Sequence, residues 1–333
     1  MSTTAPREPR PVATTAALRR VAKAPVLEPG GPPTLRSRAA NRVISAMLKS
    51  AWQRSPETDA GLVRMRRASE RMTRFQTVPR GVEIEPLDLG DCAAEWVRTG
   101  PPGPGVVLYL HGGGYFFGGS RLYRPFNWRL SAATGHPVLA LDYRLAPEHT
   151  PADALDDALA AYEFLLGEGY EPADIVVGGD SAGGHLALAL LLALKERDRP
   201  LPRAVVVLSP WADLLCTAES HTLNVRTDCL IPAARLAWLG RRFCEGADDG
   251  DALYAPVRGD YTDLPPLLVI ASDSEILRDD ARQVAERARV AGVRVEHQEW
   301  RGLAHVFPVF ADFMPEGKAA FRHIAEFLRG VES

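Results

Sequence analysis

The chain has 333 residues, 46% hydrophobic and 24% charged, with a formal net charge of −3. Those proportions exclude a disordered, collagen-like or coiled-coil chain, and a core of this size needs no metal or disulfide staple. The length predicts one or two domains, and the charge balance gives no electrostatic footprint for nucleic acid.

Residues 1–36 are rich in Pro, Thr, Ala and Arg, which predicts a mobile arm, and Met1–Arg20 has no apolar segment of the signal-peptide kind. From 37 to 78 apolar residues recur at helical spacing: Ala39, Val43, Ile44, Met47 and Leu48, then Leu62, Val63 and Met65. This predicts two amphipathic helices broken near Ser55-Pro56. After Gly81 the rhythm becomes strand, loop, helix. Strands are predicted at Val82–Leu87 and Glu95–Arg98, joined as a hairpin, then at Val106–Leu110, Pro137–Leu141 and Ile175–Val177. Later strands are predicted at Ala204–Leu208, Leu267–Ala271 and Val293–Trp300. Helices are expected at Ala152–Leu166, from near Ala182 to Lys195, at Asp279–Ala291 and at Phe321–Leu328. Alternation of apolar strands with helices predicts a mostly parallel sheet covered on both faces. Residues 214–250 break the rhythm and read as an insertion above one edge of the sheet, leaving 79–213 and 251–333 as the core.

The longest apolar run, Leu186–Leu194, spans nine residues, too short to cross a membrane. Cys92, Cys216, Cys229 and Cys244 form no C-x-x-C and no zinc-finger spacing. They predict reduced thiols in a cytoplasm, with no metal and no cofactor. The oligomeric state is not legible in the sequence.

The chemistry centres on Gly179-Asp180-Ser181-Ala182-Gly183, between a buried strand and a helix. A serine on such a sharp turn exposes its Oγ, and flanking glycines are required because a Cβ would strike the neighbouring strand and helix. The pentapeptide alone recurs by chance. However, no G-x-G-x-x-G fingerprint or P-loop lysine accompanies it, which disfavours a phosphate-cradling loop. His111-Gly112-Gly113-Gly114-Tyr115 follows the strand Val106–Leu110. Three consecutive glycines let backbone N–H groups turn inward, as an oxyanion hole requires.

A serine nucleophile needs a base, and the base needs an orienting carboxylate. Five histidines follow Ser181. His185 lies on the helix that the serine opens, His221 in the insertion, His297 within a strand and His323 in the last helix. His305, on a loop after the last strand, is the expected base. Four acids follow the strand Leu267–Ala271. Asp279 and Asp280 read as solvated first-turn helix residues, and spacing does not separate the loop acids Asp273 and Glu275.

These motifs resemble the hormone-sensitive lipase-like family of α/β-hydrolases, bacterial carboxylesterases with an HGGG block. The resemblance rests on His111–Tyr115, Asp142–His149, Gly179–Gly184, Ser209-Pro210-Trp211 and Gly302–His305, in order across residues 106–307. It implies an α/β-hydrolase fold with a mostly parallel eight-stranded sheet, helices on both faces and a helical cap formed by 37–78 and 214–250. In the family the acid heads a D-P-L-x-D stretch. Here Glu275-Ile276-Leu277-Arg278-Asp279 stands in that place, which implies Glu275 as the acid. The resemblance further implies an oxyanion hole from the N–H groups of Gly113, Gly114 and Ala182, and a loop-holding role for His111 and the Tyr143–His149 block. Tyr115 and Phe116 are expected beside the hole as substrate-binding walls, with Phe117 next to them; ordinary core packing is the competing role for each.

The expected function is a serine carboxylesterase acting on short- to medium-chain acyl esters, with a small-molecule ester as its partner. The same machinery also fits an amidase or deacetylase, and a hydrolase scaffold can serve as a non-catalytic ligand receptor.

Overall fold

A computed structural model describes residues 27–101, 103–246 and 251–332. Eight strands form one sheet: β1 (Val82–Asp88), β2 (Ala93–Thr99), β3 (Val106–Leu110), β4 (Val138–Asp142), β5 (Ile175–Asp180), β6 (Ala204–Leu208), β7 (Leu267–Ser272) and β8 (Val295–Trp300). Their order is β1-β2-β4-β3-β5-β6-β7-β8. The hairpin β1–β2 is antiparallel and β2 runs antiparallel to β4, while every later pairing is parallel. Parallel strands share one carboxyl edge, where loops of an open α/β sheet converge on a ligand.

The central strands are apolar up to their carboxyl ends, where Asp142, Asp180 and Ser272 stand, because both sheet faces are covered. Along β3, Val106, Leu108 and Leu110 enter one core, and Val107 and Tyr109 enter the other. The first core packs against α5 (Pro151–Gly167), α6 (Ala182–Glu196) and α9 (Arg278–Val290); the second packs against α4 (Ser120–Thr134) and α10 (Pro315–Glu332). Helix α5 starts in a capping box in which Thr150 and Asp153 satisfy each other's backbone N–H groups.

The helix α4 is not among the expected elements. Its buried face mixes Tyr123, Phe126 and Leu130 with Ser120, Asn127 and Ser131, and Pro125 lies inside it. Polar residues on the inward face and an internal proline hide the periodicity that marks a helix. The closing helix is longer than its apolar seam, running from Pro315 rather than Phe321.

Of the arm expected over residues 1–36, residues 1–26 lie outside the described ones. Leu27 bridges in parallel to β8, with its N–H donating to His297 O and its carbonyl accepting from Glu299 N–H, both at 2.9 Å. Helix α1 (Leu35–Ile44) continues through a π-helical turn (Ser45–Lys49) into α2 (Ser50–Arg54), and α3 (Asp59–Met72) follows the break at Ser55-Pro56. The insertion carries the short helices α7 (Ser220–Leu223) and α8 (Ala233–Phe243). It meets the N-terminal helices directly. Arg235 donates to Gln53 O at 2.7 Å, Arg242 pairs with Asp59 at 2.7 Å, and Lys49 Nζ donates to Asp228 O at 2.5 Å.

Candidate active site

Ser181 sits between β5 and α6 with φ 53° and ψ −119°, a conformation that L-residues avoid. The glycines around it leave no choice of side chain. A Cβ on Gly183 would lie 2.0 Å from Leu110 O, and one on Gly179 would lie 2.2 Å from Gly183 O. Backbone hydrogen bonds pin the corner: Ser181 N–H donates to Leu208 O at 2.9 Å, and Trp211 N–H donates to Ser181 O at 3.1 Å.

The HGGG segment leaves β3 beside this corner. Gly113 has φ +124° and Gly114 φ +59°. Gly113 O accepts from the N–H groups of Phe116 and Phe117 at 3.1 Å, closing the loop on itself. Among the described residues the N–H groups of Gly113 and Gly114 donate to nothing. The Ala182 amide, the first of α6, is likewise one of the donors that a helix start leaves without an intrahelical partner.

Asp180 ties these two segments together. It is fully buried, and its Oδ1 accepts from Tyr109 Oη and Gly112 N–H at 2.9 Å each, while Oδ2 accepts from Tyr123 Oη at 2.8 Å. Burial pushes its carboxyl up to about 6, and the three donors hold it from rising further. Burial and the adjoining carboxylate drive the Tyr109 and Tyr123 hydroxyls well above their ordinary range, which keeps them as donors. Tyr143 Oη donates to His111 O at 2.6 Å, and its ring stacks on the His111 ring at 4.3 Å.

The four acids after β7 take four different partners. Glu275 Oε2 is hydrogen-bonded to His305 Nδ1, and Oε1 accepts from Ser272 N–H at 2.7 Å and Ser209 Oγ at 2.8 Å. Asp273 accepts from Gly302 N–H at 2.7 Å, which braces the loop leading to His305. Asp279 binds Arg278 and the Ser220 N–H. Asp280 corrects the expectation of a solvated acid. It is 1% exposed, paired with His221 Nε2 at 2.9 Å and with Asp213 N–H at 3.1 Å.

His305 is 4% exposed and Ser181 8%. Burial works against the imidazolium at 305, but the Glu275 carboxylate outweighs it and holds the group above its ordinary value; Asp228 and Asp180 act in the same direction. Among the described residues no hydrogen bond joins Ser181 Oγ to the His305 ring. Each remaining histidine has its own setting. His185 is fully buried on α6 with Nδ1 against Tyr115 Oη at 2.6 Å, and burial lowers it to about 3. His297 lies buried in β8, and His323 on α10.

Tyr115 and Phe116, expected as walls of a substrate pocket, are 1% and 0% exposed and belong to the core. Tyr115 is turned inward to His185, and Phe116 lies against Trp52 at 5.9 Å between ring centres. Only Phe117 of the three aromatics retains accessible surface. A Cβ on Gly114 would meet Phe116 at 3.1 Å and Leu239 of α8 at 3.5 Å, so the insertion packs directly over the glycine loop.

Sequence reasoning assigned no role to a second set of residues. Ser209, at φ 48°, follows β6; its Oγ accepts from Val306 N–H at 3.2 Å while donating to Glu275. Ser220, Asn224 and Asp228 recur every four residues and all reach the loop bearing Glu275. Ser220 Oγ donates to Ile276 O at 2.6 Å, and Asn224 Nδ2 donates to Asp273 O at 3.0 Å and Glu275 O at 2.8 Å. Asp228 Oδ2 accepts from Ile276 N–H at 2.9 Å. The regular spacing of buried polar residues was the available signal. No group of metal-ligating side chains occurs among the described residues.

Residues 107–309 match a family model described as alpha/beta hydrolase fold. The chain is 38% identical over 288 residues to an acetyl-hydrolase of Streptomyces hygroscopicus, covering 86% of this chain and 95% of that protein. It is 38% identical over 254 residues to the carboxylesterase/phospholipase LipF of Mycobacterium tuberculosis, covering 73% and 68%. A crystal structure of an esterase from the bacterial hormone-sensitive lipase family superposes with a TM-score of 0.83 at 36% identity, over 91% of this chain and all of that one. The chain belongs to the hormone-sensitive lipase-like family of α/β-hydrolases.

Proposed function

We propose that this hydrolase of ester bonds is a serine carboxylesterase that uses Ser181 as nucleophile, His305 as base and Glu275 as orienting acid. The observation that carries the reading is the Glu275–His305 pair at the same carboxyl edge of the sheet as the strained Ser181 corner. Ser181 Oγ attacks the ester carbonyl carbon while its proton passes to His305 Nε2. That transfer needs a hydrogen bond that tightens once substrate is seated. The carbonyl π electrons move to oxygen, and the oxyanion accepts from the N–H groups of Gly113, Gly114 and Ala182. The C–O bond to the alcohol then breaks, with the proton returned from His305 to the leaving oxygen. Water repeats the sequence on the acyl-enzyme, releasing the carboxylic acid and restoring Ser181.

The names of the relatives, acetyl-hydrolase and carboxylesterase, support an acyl ester of short to medium chain as substrate. The four free cysteines suit a reducing compartment, and we assign the protein to the cytoplasm. Among the described residues no helix is long and apolar enough to cross a membrane.

The test is a hydrolysis series of p-nitrophenyl esters from acetate to palmitate, run beside Ser181→Ala. The proposal expects kcat/KM to peak at short or medium chains, and the variant to lose at least about a thousandfold in rate. Turnover by Ser181→Ala near that of the parent protein would overturn it.

A further inference from the structure

The net charge of −3 conceals an uneven distribution. Residues 35–80 hold eleven Lys and Arg against three Asp and Glu. Three of these, Arg67 and Arg71 on α3 and Arg74 in the single turn that follows, stand four and three residues apart, which sets them on one helix face. Together with Arg121, from the first turn of α4, they line a surface cavity of about 360 Å³ that also includes Glu70 and Thr73. The two helices are joined there by Gln76 Nε2, which donates to Leu122 O at 2.8 Å.

Among the described residues, none of the four guanidinium groups forms an ion pair or a hydrogen bond. The neighbouring Arg66 shows the contrast, since it pairs with Glu148 at 2.5 Å and donates to Ala146 O at 3.1 Å. Four like charges gathered in a concavity, offset by one carboxylate, repel one another, and an anion with several oxygens relieves that repulsion. Guanidinium forks bind such groups in pairs of parallel hydrogen bonds. A phosphate offers its three or four oxygens to several forks at once, and carries more charge than a single carboxylate with two.

We propose that this cavity is a binding site for a phosphate-bearing ligand, either a soluble phosphate compound or a phospholipid headgroup, and that it shares no residue with the hydrolytic centre. Calorimetric titration of the full-length protein with inorganic phosphate and pyrophosphate tests the soluble form. Co-sedimentation with phosphatidylglycerol-containing vesicles, against vesicles of phosphatidylcholine alone, tests the lipid form. Arg71→Gln/Arg74→Gln should weaken whichever binding is seen by at least about tenfold. The control Arg64→Gln/Arg80→Gln removes the same charge outside the cavity and should change binding by less than about twofold. Hydrolysis of p-nitrophenyl acetate should be unchanged in both variants, which also shows that they fold. Saturable uptake of free phosphate or pyrophosphate identifies a soluble ligand, and binding to phosphatidylglycerol vesicles alone identifies a headgroup. Equal weakening by the two double variants, or no binding of any probe by the parent protein, would overturn the proposal.

Discussion

Ser209 Oγ donates to Glu275 Oε1 at 2.8 Å, and the same hydroxyl accepts the N–H of Val306, the residue after His305. One small side chain at the end of β6 thus links Glu275, after β7, to the segment carrying His305, after β8. Ser209→Ala leaves a buried carboxylate oxygen with Ser272 N–H as its remaining donor and leaves the Val306 amide unpaired. The expected cost is about 1–3 kcal/mol of stability. An accompanying fall of about tenfold in kcat with little change in KM is expected because the residue acts on orientation and not on binding. Thermal melts and steady-state kinetics check both; a KM effect with kcat preserved would contradict this role.

The pH profile follows from the environment of His305. The imidazole must be neutral to accept a proton, and Glu275 holds it charged to a higher pH than an ordinary histidine, against the opposing effect of burial. The acid limb of kcat/KM should therefore have its midpoint above the ordinary value of about 6.5. In Glu275→Gln the adjoining carboxylate is gone and burial is opposed only by Asp228 and Asp180, so the limb should move to lower pH while the maximal rate falls. A limb unmoved by that substitution would separate His305 from the rate-limiting proton transfer.

Gly113→Ala should disable the loop without unfolding the protein. The position has φ +124°, and a Cβ would lie 1.9 Å from Phe117 O. Relief requires the loop to move, which displaces the adjoining amides from a developing oxyanion. The expected loss in kcat is about a hundredfold or more, with the circular dichroism spectrum retained. Near-normal kcat would mean that these amides do not stabilise the transition state.

His221 predicts an alkaline weakness. Burial disfavours its charge, but Asp280 overrides this and raises the group to about 10. A folded-state value above the unfolded one gives stability that is fully present below about pH 6.5 and lost as pH rises through the folded value. The melting temperature should therefore decline between pH 7 and 10, and the slope should flatten in His221→Gln. Parallel declines in the two proteins would assign the loss elsewhere.

Most of the sheet was legible because Val106–Leu110, Ala204–Leu208 and Leu267–Ala271 are short, β-branched and bounded by turns, a pattern with few alternatives. Helix α4 was not, because its buried Ser120, Asn127 and Ser131 satisfy tertiary demands and not an apolar period. At the site, Ser181 stood out by its glycines, which local sterics require. Among the acids, spacing did not separate Asp273 from Glu275, and only the resemblance to the family's acid stretch pointed to Glu275. Only the folded contacts set Glu275 on His305, Asp273 on Gly302 and Asp280 on His221. Tyr115 and Phe116 show the same limit: proximity in sequence to the glycine loop does not say whether a ring turns towards the ligand or the core.

The grip of Ser220, Asn224 and Asp228 on the loop around Glu275 sets where this protein can be recombined. A chimera that imports a relative's insertion wholesale, cut at the end of β6, would exchange the scaffolding of Glu275 along with the helix packed over Gly114. A splice beginning after Ile231 would swap α8, the roof above Gly114, while leaving the proton-handling parts with their native supports.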